Sequence, residues 1–204
     1  MAMADFNLFE LMLFTLWIYL PGFLVNTFAM MWGKWLPKTG YGPWPIDGGR
    51  LHKDGNRILG DGKTWNGLIG GSLTSGILCY LMTIIPENWI FISPTESATG
   101  WASSAFLLGT FLGFTSLIGD STGSYFKRRK GMKREGDVSS KAPLLDTLPF
   151  AISVFIFGQL FLTGSAHGDR DLLIPMALLI VITPILHRSF NLIGYKIGWK
   201  DVPY

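Results

Sequence analysis

Two aspartates stand where a carboxylate is expensive. Asp120 follows about twenty apolar residues without a charge, in the run Leu117-Ile118-Gly119-Asp120-Ser121-Thr122-Gly123-Ser124-Tyr125-Phe126-Lys127-Arg128-Arg129-Lys130. Asp146 lies about one turn into the next apolar segment, which opens Pro143-Leu144-Leu145-Asp146-Thr147-Leu148-Pro149. A carboxylate at the edge of such a stretch must be paired or must sit on a metal. Two of them at similar depth form a plausible site for Mg²⁺, a hard cation suited to carboxylates and phosphates. The alternative is a Lys or Arg partner for each, which the neighbouring basic run Lys127–Arg134 could supply.

A second segment points to phosphate. Arg57-Ile58-Leu59-Gly60-Asp61-Gly62-Lys63-Thr64-Trp65 contains Gly-Lys-Thr. A P-loop would need a further Gly five residues before Gly62, and Arg57 stands there. Part of the P-loop's physics survives. Gly60 and Gly62 free the backbone for close approach, Lys63 supplies charge, and Thr64 can cap the following helix, whose N-terminus favours anions. The plainer reading is a Gly-rich turn with a snorkelling lysine. The basic run likewise reads either as a positive-inside flank or as a phosphate-binding cluster. No aromatic residues interleave it after Phe126, which argues against nucleic acid.

Other polar residues carry less. Asn26 lies near the inner end of the first apolar stretch, where its amide can reach a ligand or bond across helices. His52, His167 and His187 are never at i,i+4 spacing, and Cys79 is the only cysteine, so neither a histidine site nor a disulfide framework is expected. No Gly-x-Ser-x-Gly suggests nucleophilic catalysis.

The elements that must position these residues are apolar helices. Of 204 residues only 15% are charged, 14% are aromatic, and the mean hydropathy is +0.34. Five stretches, about 8–32, 64–86, 100–119, 143–164 and 172–193, each have the length that crosses a hydrocarbon core. Gly and Pro inside them would harm soluble helices but are tolerated in membrane ones. The expectation is an all-α integral membrane protein, one domain over 1–204, with five transmembrane helices. Met1–Asn7 lacks a basic n-region, so the first stretch reads as a permanent span rather than a signal peptide.

Charge sets the orientation. All Lys and Arg except Arg170 fall in the first connection, the third connection or the C-terminal tail. The positive-inside rule then puts the N-terminus outside, the tail in the cytoplasm, and both motif-bearing loops on the cytoplasmic face. No internal repeat is visible, so an inverted-repeat transporter has no support.

The combination Pro45-Ile46-Asp47, Arg57–Trp65, Gly119-Asp120-Ser121-x-x-Ser124-x-x-Lys127-Arg128, Lys133 and Pro143–Phe150 resembles the two cytoplasmic loops of archaeal CDP-archaeol synthases. It also echoes the Asp, Ser, Lys-Arg, Lys, Asp signature of CDP-diacylglycerol synthases. The match spans nearly the whole chain. It departs at Lys133-Arg134-Glu135-Gly136-Asp137, where the broader signature has Lys-Asp, and it lacks the bacterial His-Gly-Gly.

The resemblance implies a Mg²⁺-dependent cytidylyltransferase in the cell membrane. Such an enzyme joins CTP to the phosphate of an isoprenoid glycerol phosphate lipid (2,3-bis-O-geranylgeranyl-sn-glycerol 1-phosphate), releasing pyrophosphate. It implies Asp120 and Asp146 as metal ligands and, with Lys127, as the catalytic set. Asn26, Gly60, Asp61, Gly62, Lys63, Thr64, Ser124, Lys127, Arg128, Lys133 and Pro143 would handle nucleotide and phosphates. The same reaction on a diacylglycerol phosphate is the nearest alternative. A small transporter or assembly protein without catalysis is the alternative of another class.

Overall fold

The computed structural model describes residues 6–82, 105–132, 142–163, 167 and 170–196. Among them are five α-helices and no strand: α1 (Leu8–Trp35), α2 (Trp65–Met82), α3 (Ala105–Arg129), α4 (Pro143–Phe161) and α5 (Leu173–Lys196). α1 together with the short turn after it, Leu8–Thr39, and Leu144–Phe161 of α4 are apolar over a membrane-spanning length, and α5 has the shorter apolar run Leu173–Leu186. The residues expected to complete the second, third and fourth stretches at 83–86, 100–104 and 164 lie outside the described residues.

Local chemistry sets the ends. Asn7 and Glu10 form a reciprocal capping box at the start of α1, with Glu10 N donating to Asn7 Oδ1 at 3.0 Å and Asn7 N to Glu10 Oε2 at 2.9 Å. The residues that follow the third apolar stretch, expected to form a loop, are helical: α3 continues ten residues past 119, to Arg129. Nothing from Asp120 to Arg129 breaks a helix as proline would, and Lys127, Arg128 and Arg129 suit its negative C-terminal pole. It stops where Gly131 turns left-handed, at φ 69°. Gly131 N then donates to Arg128 O and Met132 N to Lys127 O, both at 3.0 Å, the paired bonds of a Schellman stop. The motif from Asp120 to Arg128 therefore sits on a helix rather than on a loop.

The helices pack through small residues, and neighbours in sequence run antiparallel. A Cβ on Gly71 would sit 3.1 Å from Ala29 of α1, and one on Gly109 would sit 2.5 Å from Ser75 O of α2. At the α3–α4 contact, a Cβ on Gly119 would lie 2.4 Å from Pro149 O, and one on Gly123 would lie 2.4 Å from Leu145 O. Glycines four apart on one face of α3 thus let two backbones meet, the small-xxx-small device of membrane bundles. Large apolar side chains point the other way: Ile69, Leu73 and Ile77 on α2, Phe111, Phe114 and Ile118 on α3, Ile152, Ile156 and Leu160 on α4. Small residues inside and large apolar ones outside suit a bundle solvated by lipid rather than by water.

The far end of the bundle is held by a buried polar contact. Tyr19 and His167 are both buried, and the Tyr19 hydroxyl lies 2.8 Å from His167 Nε2. Gly158 makes room for the phenol, since a Cβ there would fall 1.6 Å from it.

Candidate active site

The connection between α1 and α2 is a folded unit built on Asp47. After a short 3₁₀ turn, Leu36–Thr39, the chain crosses itself twice, pairing Pro45 with Thr64 and Leu51 with Arg57. The Asp47 carboxylate is enclosed. Its Oδ1 accepts from Arg57 Nη2 at 2.6 Å and Gly49 N at 3.1 Å. Its Oδ2 accepts from Leu59 N and Gly60 N, both at 2.9 Å, and from Arg57 Nε at 3.2 Å. Burial alone would raise the Asp47 pKa, but the Arg57 guanidinium and three backbone N–H groups outweigh it and hold the carboxyl well below the usual carboxylate range.

A depressed folded-state pKa contributes stability above the unfolded value, near 3.9, and loses it only as pH falls through the lower folded one. The connection is therefore expected to resist proteolysis equally at pH 7 and at pH 5. Asp47→Asn, which weakens charge-assisted bonds of about 1.5–3 kcal/mol each, should make it cleavable at both. Equal resistance in wild type and variant would remove Asp47 from this role.

This folding redistributes the glycine assignments. Gly60 is left-handed, at φ 90°, but its N–H is occupied by Asp47, and its bare Cα lets Arg128 approach: a Cβ would lie 3.0 Å from Arg128 Nε. Gly62 is not among the glycines with positive φ. Asp61 is exposed and pairs with Arg57 at 2.6 Å. Thr64 caps α2 as its position suggested, its Oγ1 accepting from Gly67 N at 3.1 Å.

Two ion pairs then join three parts of the chain. Lys63, at the end of the connection, pairs with Asp120 of α3. Lys127, two turns further along α3, pairs with Asp146 in the first turn of α4. Asp120, Ser124 and Lys127 share one face of α3 by their i, i+4, i+7 spacing. Ser124 and Lys127 are buried, and the Asp120 and Asp146 side chains keep only 15% and 11% of their exposure. The Gly119–Pro149 and Gly123–Leu145 contacts place Asp146 about two residues, or ~3 Å, along the helix axis from Asp120. The partner seen for each aspartate is thus a lysine, one of the two arrangements the sequence allows. Asn26 lies on the same stripe of α1 as Gly22, Ala29 and Gly33; Ala29 and Gly33 face Gly67 and Thr64. Pro143 is the first residue of α4. Lys133 lies outside the described residues.

Sequence reasoning gave no role to Asp47, Asp54, Arg57 or Arg129. Arg129 pairs with Asp54 at 2.6 Å and donates to Arg57 O at 2.6 Å. The opposite face of α3 borders an apolar groove of about 480 Å³, lined by residues including Ile46, Leu59, Leu68, Ile118 and Phe126, and the ion pairs are not in it.

The arrangement gathers two carboxylates, two ammonium groups, a buried hydroxyl and a capped helix N-terminus at one end of the bundle. It offers hard oxygens for a cation and positive charge for phosphates. Comparison with known proteins gives the family. The family model described as CarS-like CDP-archaeol synthase matches residues 8–204. A CDP-archaeol synthase of Thermococcus gammatolerans is 36% identical over 95% of this chain and 96% of its own length. Another, of Methanosarcina barkeri, is 36% identical over 91% and 99%. A solved structure described as an intramembrane enzyme for archaeal membrane lipid biosynthesis superposes with a TM-score of 0.63, at 26% identity, over 88% of this chain and 94% of that one. The chain belongs to the CarS-like CDP-archaeol synthase family.

Proposed function

We propose that this protein transfers CMP from CTP to the phosphate of an isoprenoid glycerol phosphate lipid, 2,3-bis-O-geranylgeranyl-sn-glycerol 1-phosphate, giving CDP-archaeol and pyrophosphate at the cytoplasmic face of the membrane. The observation that carries the reading is the joining of the two motif segments, Lys63 to Asp120 and Lys127 to Asp146, in a chain of this family.

The chemistry follows from charge. The attacking group is an oxygen of the lipid phosphate monoester, already anionic, so no general base is needed. It forms a bond to the α-phosphorus of CTP while the bond to the β-phosphate oxygen breaks and pyrophosphate leaves. The barrier is repulsion between phosphates and the need for alignment. Lys63 and Lys127 lower the first by holding phosphate oxygens, and Ser124 donates beside them. Asp120 and Asp146 suit a divalent cation. They are hard oxygen donors, each holds a positive group already, and no third His, Cys, Asp or Glu joins them among the described residues. Two protein carboxylates with the remaining positions left to phosphate and water is a habit of Mg²⁺. The ion, when bound, would neutralise the triphosphate. Asp120 and Asp146 would hold it, with Lys63 and Lys127 beside them as the cations for the phosphates. The isoprenoid chains stay in the bilayer, which explains a site at the membrane edge.

The decisive experiment follows label from α- and γ-³²P-CTP with purified protein and lipid phosphate. Label from the α position should enter lipid and label from the γ position should leave as pyrophosphate. Label retained in CTP with both the geranylgeranyl lipid and a diacylglycerol phosphate would overturn the reading.

Two further results are expected. Lys63→Ala and Lys127→Ala should each weaken CTP about tenfold to hundredfold, the scale of one lost charge-assisted contact, and the lipid less. Their double variant should depart from additivity, because groups on one ligand couple. Unchanged CTP dependence in both single variants would separate the two segments. The second concerns orientation, read from the basic residues. A cysteine placed at the N-terminus should react with an impermeant thiol reagent outside intact cells, and one at Lys130 should not. The reverse pattern would put the site on a face without CTP.

A further inference from the structure

We infer that Arg129 is a positioning residue for the transfer, acting through the connection before α2 rather than on substrate; this rests on the function proposed above. Arg129 stands two residues past Lys127, so it projects from a different face of α3 than Asp120, Ser124 and Lys127. Its guanidinium grips the connection at three points. Nη1 binds Asp54 Oδ1 at 2.6 Å, and Nη2 donates to Arg57 O at 2.6 Å and to Asn56 O at 3.4 Å. The same group lies 5.2 Å over the Tyr125 ring, against which His52 packs edge-on at 6.4 Å. Asp54 in turn accepts from Asn56 N at 3.0 Å, which shapes the turn that Arg129 grasps.

From that grip the path to the site is short and stiff. The Arg57 side chain binds Asp47, Asp47 binds the amides of Leu59 and Gly60, and Lys63 follows three residues later. Arg128 adds a contact to Leu59 O at 3.4 Å. Lys63 then returns to Asp120 on the helix that bears Arg129. One helix thus holds the connection at its end and receives the connection's lysine about nine residues, or ~13 Å, back along its axis. The clasp sets the register between Lys63 and Asp120. Two carbonyls and a carboxylate at fixed positions suit a planar fork, which lysine cannot supply.

The test measures the clasp and the chemistry separately. Spin labels go on Lys53→Cys and Lys130→Cys, both exposed, while Cys79 is buried. The interspin distance should be narrowly distributed with Arg129 present and broad in Arg129→Gln. Kinetically, Arg129→Gln should lower kcat/KM for CTP about 10- to 100-fold, the scale of a displacement of about 1 Å, with KM for the lipid phosphate unchanged. Asp54→Asn should move the same parameter the same way by less, and Arg129→Lys should lie between Arg129→Gln and wild type. The helical unfolding transition should stay at the wild-type temperature.

A narrow distribution in Arg129→Gln, whatever its kinetics, would overturn the clasp. So would wild-type kinetics in Asp54→Asn alongside a defect in Arg129→Gln, which would put Arg129 on the nucleotide. A lowered unfolding temperature with unchanged kinetics would reduce Arg129 to a packing role and overturn the inference too. If the wild-type chain forms no CDP-lipid, the proposed function fails while the distance measurement still decides the clasp.

Discussion

Asp120→Asn and Asp146→Asn should each lower CDP-lipid formation by at least about 10²-fold, the scale of losing one preorganised electrostatic element. Asparagine keeps the size of aspartate but removes the charge that balances Lys63 or Lys127 and that would hold a divalent cation. The buried pair makes the two sites unequal. Lys127 is almost wholly enclosed, so Asp146→Asn leaves an ammonium without its counter-charge in a dry place, which costs several kcal/mol. Lys63 is about one-fifth exposed and can turn toward water after Asp120→Asn. Asp120→Asn should therefore lose activity with its unfolding temperature kept, whereas Asp146→Asn should lose both. Manganese binding followed by electron paramagnetic resonance gives a readout independent of turnover, and it should weaken in both variants. Full activity in both would eliminate the carboxylate site.

Gly119→Ala should damage stability and activity together. The added methyl would lie 2.4 Å from Pro149 O and 2.5 Å from Ser153 Oγ. Backbone cannot yield as a flexible side chain does, so α3 and α4 must separate. Overpacking of this kind costs about 1–3 kcal/mol. Asp120 is the next residue, and the Lys127–Asp146 pair spans the same interface. A shift of about 1 Å between the helices is enough for a loss on the order of 10²-fold in rate. Gly131→Ala is the contrast, because nothing lies within 4 Å of its Cβ position and only its left-handed φ of 69° is strained. Thermal unfolding in detergent and CDP-lipid formation should separate the two variants. Wild-type behaviour of Gly119→Ala in both assays would show that the close approach is dispensable.

These residues also mark what could be read from the chain alone. Asp120 and Asp146 were legible because each interrupts apolar sequence, where an isolated charge is conspicuous. Thr64 was legible as a cap because a helix start has a local signature. The partners of Asp47 were not. Apart from Gly49, two residues on, they lie at Arg57, Leu59 and Gly60, and a carboxylate binding groups ten or more residues away leaves no periodic trace. Gly60 and Gly62 looked equivalent in sequence, yet only Gly60 takes the left-handed turn, and Asp47 claims its amide. Arg129 stood in a run of four basic residues, and only the fold assigns Lys127 to α4, Arg129 to Asp54 and Arg128 to the carbonyls of Leu59 and Met132. The helical state of Asp120–Arg129 was not legible, because the charges after Gly119 read as a loop while nothing in that segment breaks a helix as proline would.

The Asp47 hub has a calorimetric meaning. Its carboxylate and the amides of Gly49, Leu59 and Gly60 satisfy one another within the connection itself. A segment that folded on binding would bury new apolar surface and give a large negative heat-capacity change together with an ordering entropy. A connection already closed on its own carboxylate has neither to contribute. The heat of CTP binding should then vary little with temperature, and its entropy should reflect the waters and counterions released from the triphosphate rather than the freezing of a chain.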